Sequence, residues 1–280
     1  MKIIMAGSAE PFVDNVKYLI KHGFVPELLV LSKEKDNRSL RKALAKYNIP
    51  FCETDYMHSI KNRITSLKPD LLVCVGYPEI LKKTIIGIPK KGVVNLHTSK
   101  LPEYRGRHPV PWALINCEKE IGVTLHFINT KIDEGEIILQ DVVSVEREDD
   151  YNSVILKLID RGKRILLAGL KQIESGSVYR KKQPIVSNCY WPRRTPADSQ
   201  IDWSKNGSEI HGFVNALVKP MPNAFAYINS RKVFFKRSYR GEKVGEVIDK
   251  TVNGLWVVAV KDGVVLVELE KKPKIGDIIS

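Results

Sequence analysis

Asn95, His97 and Asp133 are the residues of this chain whose types and placement can do chemistry together. An amide, an imidazole and a carboxylate supply a donor for a developing oxyanion, a group that exchanges a proton near neutral pH, and an anion that steadies the imidazolium. That set suits acyl transfer to an amine. Asn95 and His97 stand two apart at the end of the apolar run GVVNLH, and in an extended strand this spacing puts both side chains on one face. An amide aimed at an oxyanion contributes about 3 to 4 kcal/mol of transition-state stabilisation. A carboxylate beside the histidine raises its pKa, which makes taking a proton from an amine less uphill. Singly, each residue has a blander reading: an Asn or His at a strand end is commonly a cap, and Asp-x-Gly is a common turn.

The segments that must position these residues alternate between two periods. KIIMAG reads as a strand, and FVDNVKYLIKHGF carries Val13, Val16, Leu19 and Ile20 at helical spacing before Gly23. ELLVLS, IPFCET, DLLVCVGY and GVVNLH are further strands, separated by the helices RSLRKALAKYN, HSIKNRITSLK and ILKKTII. This order predicts a doubly wound α/β fold, a mainly parallel sheet with helices on both faces. Ligands in such sheets sit beyond the carboxyl ends of strands, where Tyr77 and His97 fall. GVTLHFI alternates along Val123, Leu125 and Phe127, which predicts a strand with one buried face. His126 then points outward on the polar face and has no catalytic role. A turn presents Asp133, EIILQDVVSV gives another strand, and a long helix runs from Tyr151 through Leu170 towards Gly176. It closes a first domain spanning residues 1–187.

The loop from Thr98 to about Pro109 is long for a compact domain, and such loops are usually functional. Its Ser99, Arg105, Arg107 and His108 are the candidate substrate-binding residues, since a guanidinium fork suits a diphosphate or a carboxylate. Arg105 has a second reading, in which it and Tyr104 simply lock the loop. Residues 188–205, rich in Pro, Ser and aromatics, read as a linker. In residues 206–280 a helix over SEIHGFVNALV precedes five strands, AFAYIN, KVFFKRS, VGEVIDK, LWVVAV and VVLVELE. Asn253-Gly254 and Asp262-Gly263 favour hairpins, and the pattern predicts a small antiparallel barrel.

Composition narrows the class without naming it. The 280 residues are 43% hydrophobic, enough for one large core and a small second domain. No apolar run approaches the roughly 20 residues of a membrane span, and the start lacks a signal-peptide pattern, so a cytoplasmic enzyme is expected. Cys52, Cys74, Cys117 and Cys189 lie far apart without a C-x-x-C pair. That argues for buried free thiols and against a metal site or a disulfide framework. Gly7-Ser8 follows the first strand, yet the G-x-G-x-x-G fingerprint is absent, which excludes a nicotinamide cofactor. The net charge of +13 attracts polyanions, but Lys and Arg are spread over the whole length, as on a lysine-rich solvated surface.

The frame around the three residues is specific. NLHTSKLPEYRGRHPVPWA, then GVTLHFI, then DEG resembles the signature of the 10-formyltetrahydrofolate-dependent formyltransferases, over roughly the first 190 residues. The resemblance extends more loosely through RRTPADSQIDW into the last domain. That family includes methionyl-tRNA formyltransferases, the formyltransferase domain of the enzyme that modifies lipid A with aminoarabinose, and N-formyltransferases of nucleotide-linked amino sugars. The sugar-directed branch looks closest. By position, the resemblance implies that Asn95, His97 and Asp133 are the catalytic residues. It implies that 10-formyltetrahydrofolate is the cosubstrate, held largely by backbone from Tyr77 to Leu81 and from Asn129 to Glu136. Tyr77, Ile80, Leu81, Ile132 and Glu134 are the positions named for it. The barrel is expected to be the family's oligonucleotide-binding-like (OB-like) carboxyl-terminal domain, and a homodimer is expected. One departure stands at Lys100, where many members have Leu.

For the acceptor, the segment after the second strand discriminates. In methionyl-tRNA formyltransferases it carries a long basic loop; here it is only SKEKDNRS, which removes phosphate contacts that nucleic-acid affinity depends on. The expected acceptor is therefore a UDP- or dTDP-linked amino sugar in surface-glycan synthesis, such as that of O-antigen or lipopolysaccharide, with methionyl-tRNA as the alternative. A folate hydrolase, a glycinamide ribonucleotide formyltransferase and a non-enzymatic nucleic-acid binder fit less of the sequence.

Overall fold

The strand-forming runs pair as their apolar content requires. In the computed structural model, which describes residues 1–33, 36–228, 231–240, 256–260 and 263–269, β1 (Ile3–Gly7) lies between β2 (Pro26–Leu31) and β4 (Leu71–Val75). β3 (Phe51–Glu53) is at one edge, while β5 (Val93–His97), β7 (Glu120–Phe127) and β8 (Ile137–Ser144) continue the sheet in the order 3-2-1-4-5-7-8. The first five strands are parallel and β7 runs antiparallel to β5. A two-stranded ladder joins β6 (Arg105–Gly106) and β9 (Tyr190–Trp191). The mainly parallel α/β sheet is thus as the alternation predicts.

Each predicted helix forms, with α1 over Ala9–Lys21, α2 over Arg38–Leu44, α3 over Lys61–Leu67 and α4 over Lys83–Ile86. α1 buries Phe12, Val13, Val16 and Leu19 as an i, i+3, i+4, i+7 stripe, with Glu10 in its first turn and Lys21 in its last, both matched to the helix dipole. One face of the sheet builds a cluster from Ile4, Leu28, Leu72 and Val93 with Ile64 of α3 and Ile85 of α4. In the β4–β5 register Cys74 pairs with Asn95 and Leu72 with Val93, so Asn95 and His97 prolong this same face beyond the apolar cluster.

The opposite face of β5 and β7 meets α6 (Tyr151–Ser175). A Cβ added at Gly169 of α6 would lie 2.2 Å from Leu125 Cδ2, so the helix backbone can approach β7 only because no side chain stands there. Leu96 pairs with Leu125 on that face, which leaves Asn95, His97, Thr124 and His126 together on the other. β7 is buried on both faces, with Thr124 0% and His126 1% exposed, which corrects the one-sided strand expected from alternation. The reason is that α6 covers one face, while the loop after His97 and Asp133 cover Thr124 and His126 on the other.

The chain divides into two compact units that interleave in sequence. Residues 1–105, 122–143 and 157–190 make one, and residues 106–121, 144–156 and 191–280 the other. In the second unit α5 (Pro109–Ile115) and α7 (Gly207–Ala216) are the helices, and Asn206 caps α7 through its side chain in a capping box with Glu209. Four antiparallel strands follow, β10 (Phe225–Ile228), β11 (Arg231–Arg240), β12 (Trp256–Val260) and β13 (Gly263–Leu269), ordered 10-11-13-12. The expected strand VGEVIDK and the turn Asn253-Gly254 lie outside the described residues. All four cysteines are free; Cys74 and Cys189 are buried, but Cys117 is exposed, against the expectation of buried thiols. Among the described residues no helix is long and apolar enough to cross a membrane.

Candidate active site

The carboxyl end of β5 delivers Asn95 and His97 to the sheet face where the β7–β8 connection brings Asp133. His97 Nε2 lies 3.0 Å from the Tyr104 carbonyl, so that nitrogen carries the proton and donates it. The basic lone pair is then on Nδ1, which faces Asp133 Oδ2 at 3.8 Å. The ring is thus oriented by a backbone carbonyl. Its carboxylate stands just beyond direct hydrogen-bond reach, near enough to stabilise an imidazolium once Nδ1 is protonated.

His126, expected to point outward without a role, belongs to the same cluster. Its Nδ1 donates to the Phe127 carbonyl at 2.8 Å, which leaves Nε2 as an acceptor 3.3 Å from Asn95 Nδ2. Asn95 Nδ2 is also 3.5 Å from Asp133 Oδ1, and His126 Nε2 lies 3.5 Å from that same oxygen. The two amide hydrogens of Asn95 therefore have two acceptors, and both contacts are long. An anionic oxygen arriving beside Asn95 can take one hydrogen over at little cost, as an oxyanion-binding donor must allow. The signal that could have revealed His126 is its strand register, directly opposite Asn95.

Asp133 sits at φ 50°, the left-handed region that costs an L-residue roughly 1 to 2 kcal/mol. Gly135 follows, and a Cβ there would lie 1.6 Å from the Phe127 carbonyl oxygen, so only glycine lets the turn fold back on β7. Gln183, which carried no sequence signal, donates to both Asp133 O and Gly135 O, at 2.8 and 2.7 Å.

The loop after His97 is held from within. Thr124 Oγ1 donates to the Ser99 carbonyl at 2.6 Å, Gln140 donates to Thr124 Oγ1 and to the Leu101 carbonyl, and the Ser99 hydroxyl donates to the Glu103 carbonyl at 2.8 Å. Ser99 is 2% exposed and Arg105 4%, and both side chains are engaged within the protein. The Arg105 guanidinium donates to Gln183 Oε1 at 2.6 Å through Nη2 and lies near Glu134, Cys189 and the Tyr190 ring. Arg107 is exposed, with its backbone N–H on the Trp191 carbonyl, and His108 Nδ1 accepts from the Arg194 backbone N–H; both belong to the second unit.

The positions named for the cosubstrate divide. Tyr77 donates its hydroxyl to the Thr54 carbonyl, and burial pushes its phenol pKa up. Leu81 is core, while Ile80 and Ile132 keep 60% and 42% of their surface exposed. Glu134 accepts from the Tyr190 hydroxyl and pairs with Lys131, and these two hold its carboxyl below the usual range, Tyr190 first. A cavity of about 460 Å³ lies against the same connection, lined by Ile86, Val93, Phe127, Ile128 and Asn129, with Arg180 stacked 4.0 Å over the Phe127 ring. The segment from Tyr77 to Leu81 does not line it.

A proton acceptor with a fixed tautomer, an adjacent carboxylate and an amide donor on exchangeable bonds make an acyl-transfer site. A family model described as formyl transferase matches residues 1–170, and one for the formyl transferase carboxyl-terminal domain matches residues 193–277. The chain belongs to the formyl transferase family. It is 34% identical over 247 residues to the bifunctional polymyxin resistance protein ArnA of Wigglesworthia glossinidia brevipalpis, across 85% of this chain but only 38% of that longer protein. To the methionyl-tRNA formyltransferase of Alkaliphilus oremlandii it is 33% identical over 240 residues, covering 81% of this chain and 76% of the relative. Its fold is similar to that of an N-formyltransferase from Helicobacter canadensis in complex with folinic acid and dTDP-3-aminofucose, at a TM-score of 0.76 and 22% identity, covering 95% and 98% of the two chains. WlaRD, a sugar 3N-formyl transferase solved with dTDP and 5-N-formyl-THF, gives a TM-score of 0.75 at 21% identity, over 98% of this chain and 99% of that one.

Proposed function

We propose that this formyltransferase moves the formyl group of 10-formyltetrahydrofolate to the exocyclic amine of a UDP- or dTDP-linked amino sugar. The observation that carries the reading is the arrangement of His97, with its tautomer fixed by Tyr104 and its Nδ1 lone pair turned to Asp133. The amine nitrogen attacks the formyl carbon, and Asn95 Nδ2 exchanges a long internal contact for the oxyanion. His97 Nδ1 takes the amine proton, Asp133 stabilises the imidazolium, and the proton then goes to the departing folate nitrogen as the carbonyl reforms. Acid–base assistance of this kind is worth about 10² to 10⁴ in rate. The cavity beside Asn129 has a mixed lining: Ile86, Val93 and Phe127 offer an apolar side to a flat ring, and Lys90, Lys91 and Arg180 suit a carboxylate. Exposed Arg107 is the retained candidate for the nucleotide diphosphate.

The sugar acceptor is supported by the short connection between β2 and α2, residues 32–37, and by the sugar N-formyltransferases among the proteins that share the fold. A second reading, methionyl-tRNA as acceptor, is favoured by the 33% identity to the Alkaliphilus enzyme and by the +13 charge. Incubation with 10-formyltetrahydrofolate, a panel of UDP- and dTDP-linked amino sugars and initiator Met-tRNA separates the two. A mass gain of one formyl group on a sugar is the expected result, whereas formylation of the tRNA alone overturns the sugar assignment.

A further inference from the structure

Gln183 has the environment of a working part, although it lies in an extended segment whose neighbours Lys182, Pro184 and Ile185 are exposed. Main-chain bonds between Lys181 and Ile137 in both directions, at 2.9 and 2.8 Å, lay this segment beside the start of β8. The Gln183 side chain turns inward, and every strong hydrogen-bonding position of its carboxamide is used. The two N–H groups go to the Asp133 and Gly135 carbonyls, one on each side of Glu134, and the oxygen receives the buried Arg105 at 3.2 Å through Nε and 2.6 Å through Nη2. Asp133 adopts a left-handed backbone, and its carboxylate lies 3.5 Å from Asn95 Nδ2 and from His126 Nε2 and 3.8 Å from His97 Nδ1.

We propose that Gln183 is a positioning residue for the Asp133 carboxylate, a carboxamide bracket that clamps the turn and is itself held by Arg105. The proposal deepens the formyl-transfer reading and rests on it for its kinetic consequence. A bracket of this kind predicts a particular asymmetry between two substitutions. Gln183→Leu removes all four bonds. Gln183→Glu keeps, and strengthens, the partner of Arg105, but sets a carboxylate oxygen against two carbonyl oxygens, so the fold is preserved while the turn is pushed away.

The experiment compares wild type, Gln183→Leu and Gln183→Glu in hydrogen exchange and in steady-state formyl transfer, with Gln183→Leu also placed in an Asp133→Asn background. The expected result is faster exchange over residues 129–136 in both variants, and a kcat loss of roughly tenfold to a hundredfold with little change in KM. Gln183→Glu retains the wild-type melting temperature, and Gln183→Leu has almost no further effect once Asp133 is Asn. Recovery of kcat in Gln183→Glu, an undiminished Gln183→Leu effect in the Asp133→Asn background, or unchanged exchange over the turn each overturns the proposal. If wild type formylates no acceptor, the functional reading fails, and the exchange data alone decide whether Gln183 clamps the turn.

Discussion

The end of β5 and the loop that follows it are adjacent in sequence and opposite in bonding. Among the side chains of Asn95, His126 and Asp133 the mutual contacts run from 3.3 to 3.5 Å, and His97 Nδ1 is 3.8 Å from the carboxylate. In the loop, Thr124 to Ser99, Arg105 to Gln183 and Ser99 to Glu103 are bonded at 2.6, 2.6 and 2.8 Å. Long, exchangeable contacts leave donors and lone pairs ready for a reacting group. Short, saturated ones fix a backbone and are spent. The difference fits the proposed chemistry at the strand end and an architectural loop start, though both are rich in polar residues.

Substitutions sharpen that contrast. Asn95→Ala removes the amide from the strand end and is expected to lower kcat by about 10² to 10³ in a steady-state formyl-transfer assay, with the melting temperature nearly unchanged. His126→Leu takes away an acceptor that holds the Asn95 amide and also a donor to the Phe127 carbonyl. It should lose about tenfold in kcat through misplacement and about 1 to 3 kcal/mol in urea unfolding. Ser99→Ala, on the architectural side, should do the reverse, losing about 1 kcal/mol of stability while kcat stays within about twofold. A large kcat loss there at full stability would erase the distinction between the two regions. The smallest effect is expected from Tyr190→Phe. Glu134 is held below the usual carboxylate range, so its contribution to stability is present above the unfolded-state value and is lost as pH falls through the folded one. Removing the Tyr190 hydroxyl should raise the Glu134 midpoint towards the ordinary value in an NMR titration, and the acid limb of stability should move up in pH with it.

Sequence made the strand end legible because a period of two is local: Asn95 and His97 must share a face wherever the strand goes. The core alternation was legible for the same reason, and β1 to β5 form from the runs that read as strands. His126 was misread because alternation describes one strand, whereas the burial of β7 on both faces is set by α6 on one side and by the loop after β5 and Asp133 on the other. Arg105 and Gln183 were illegible as a pair, being 78 residues apart and joined only by the fold. The predicted barrel was legible only in its strands, four of which pair among the described residues.

The central claim, that the β5 end transfers a formyl group to an amine, is tested most directly by giving wild type and His97→Ala 10-formyltetrahydrofolate with the amino-sugar panel and following product mass beside thermal melting. The account predicts one added formyl group with wild type, and a rate lower by about 10² to 10⁴ with a variant that still folds. Near-wild-type product from His97→Ala would contradict it, and a variant that fails to fold would return His97 to a structural role.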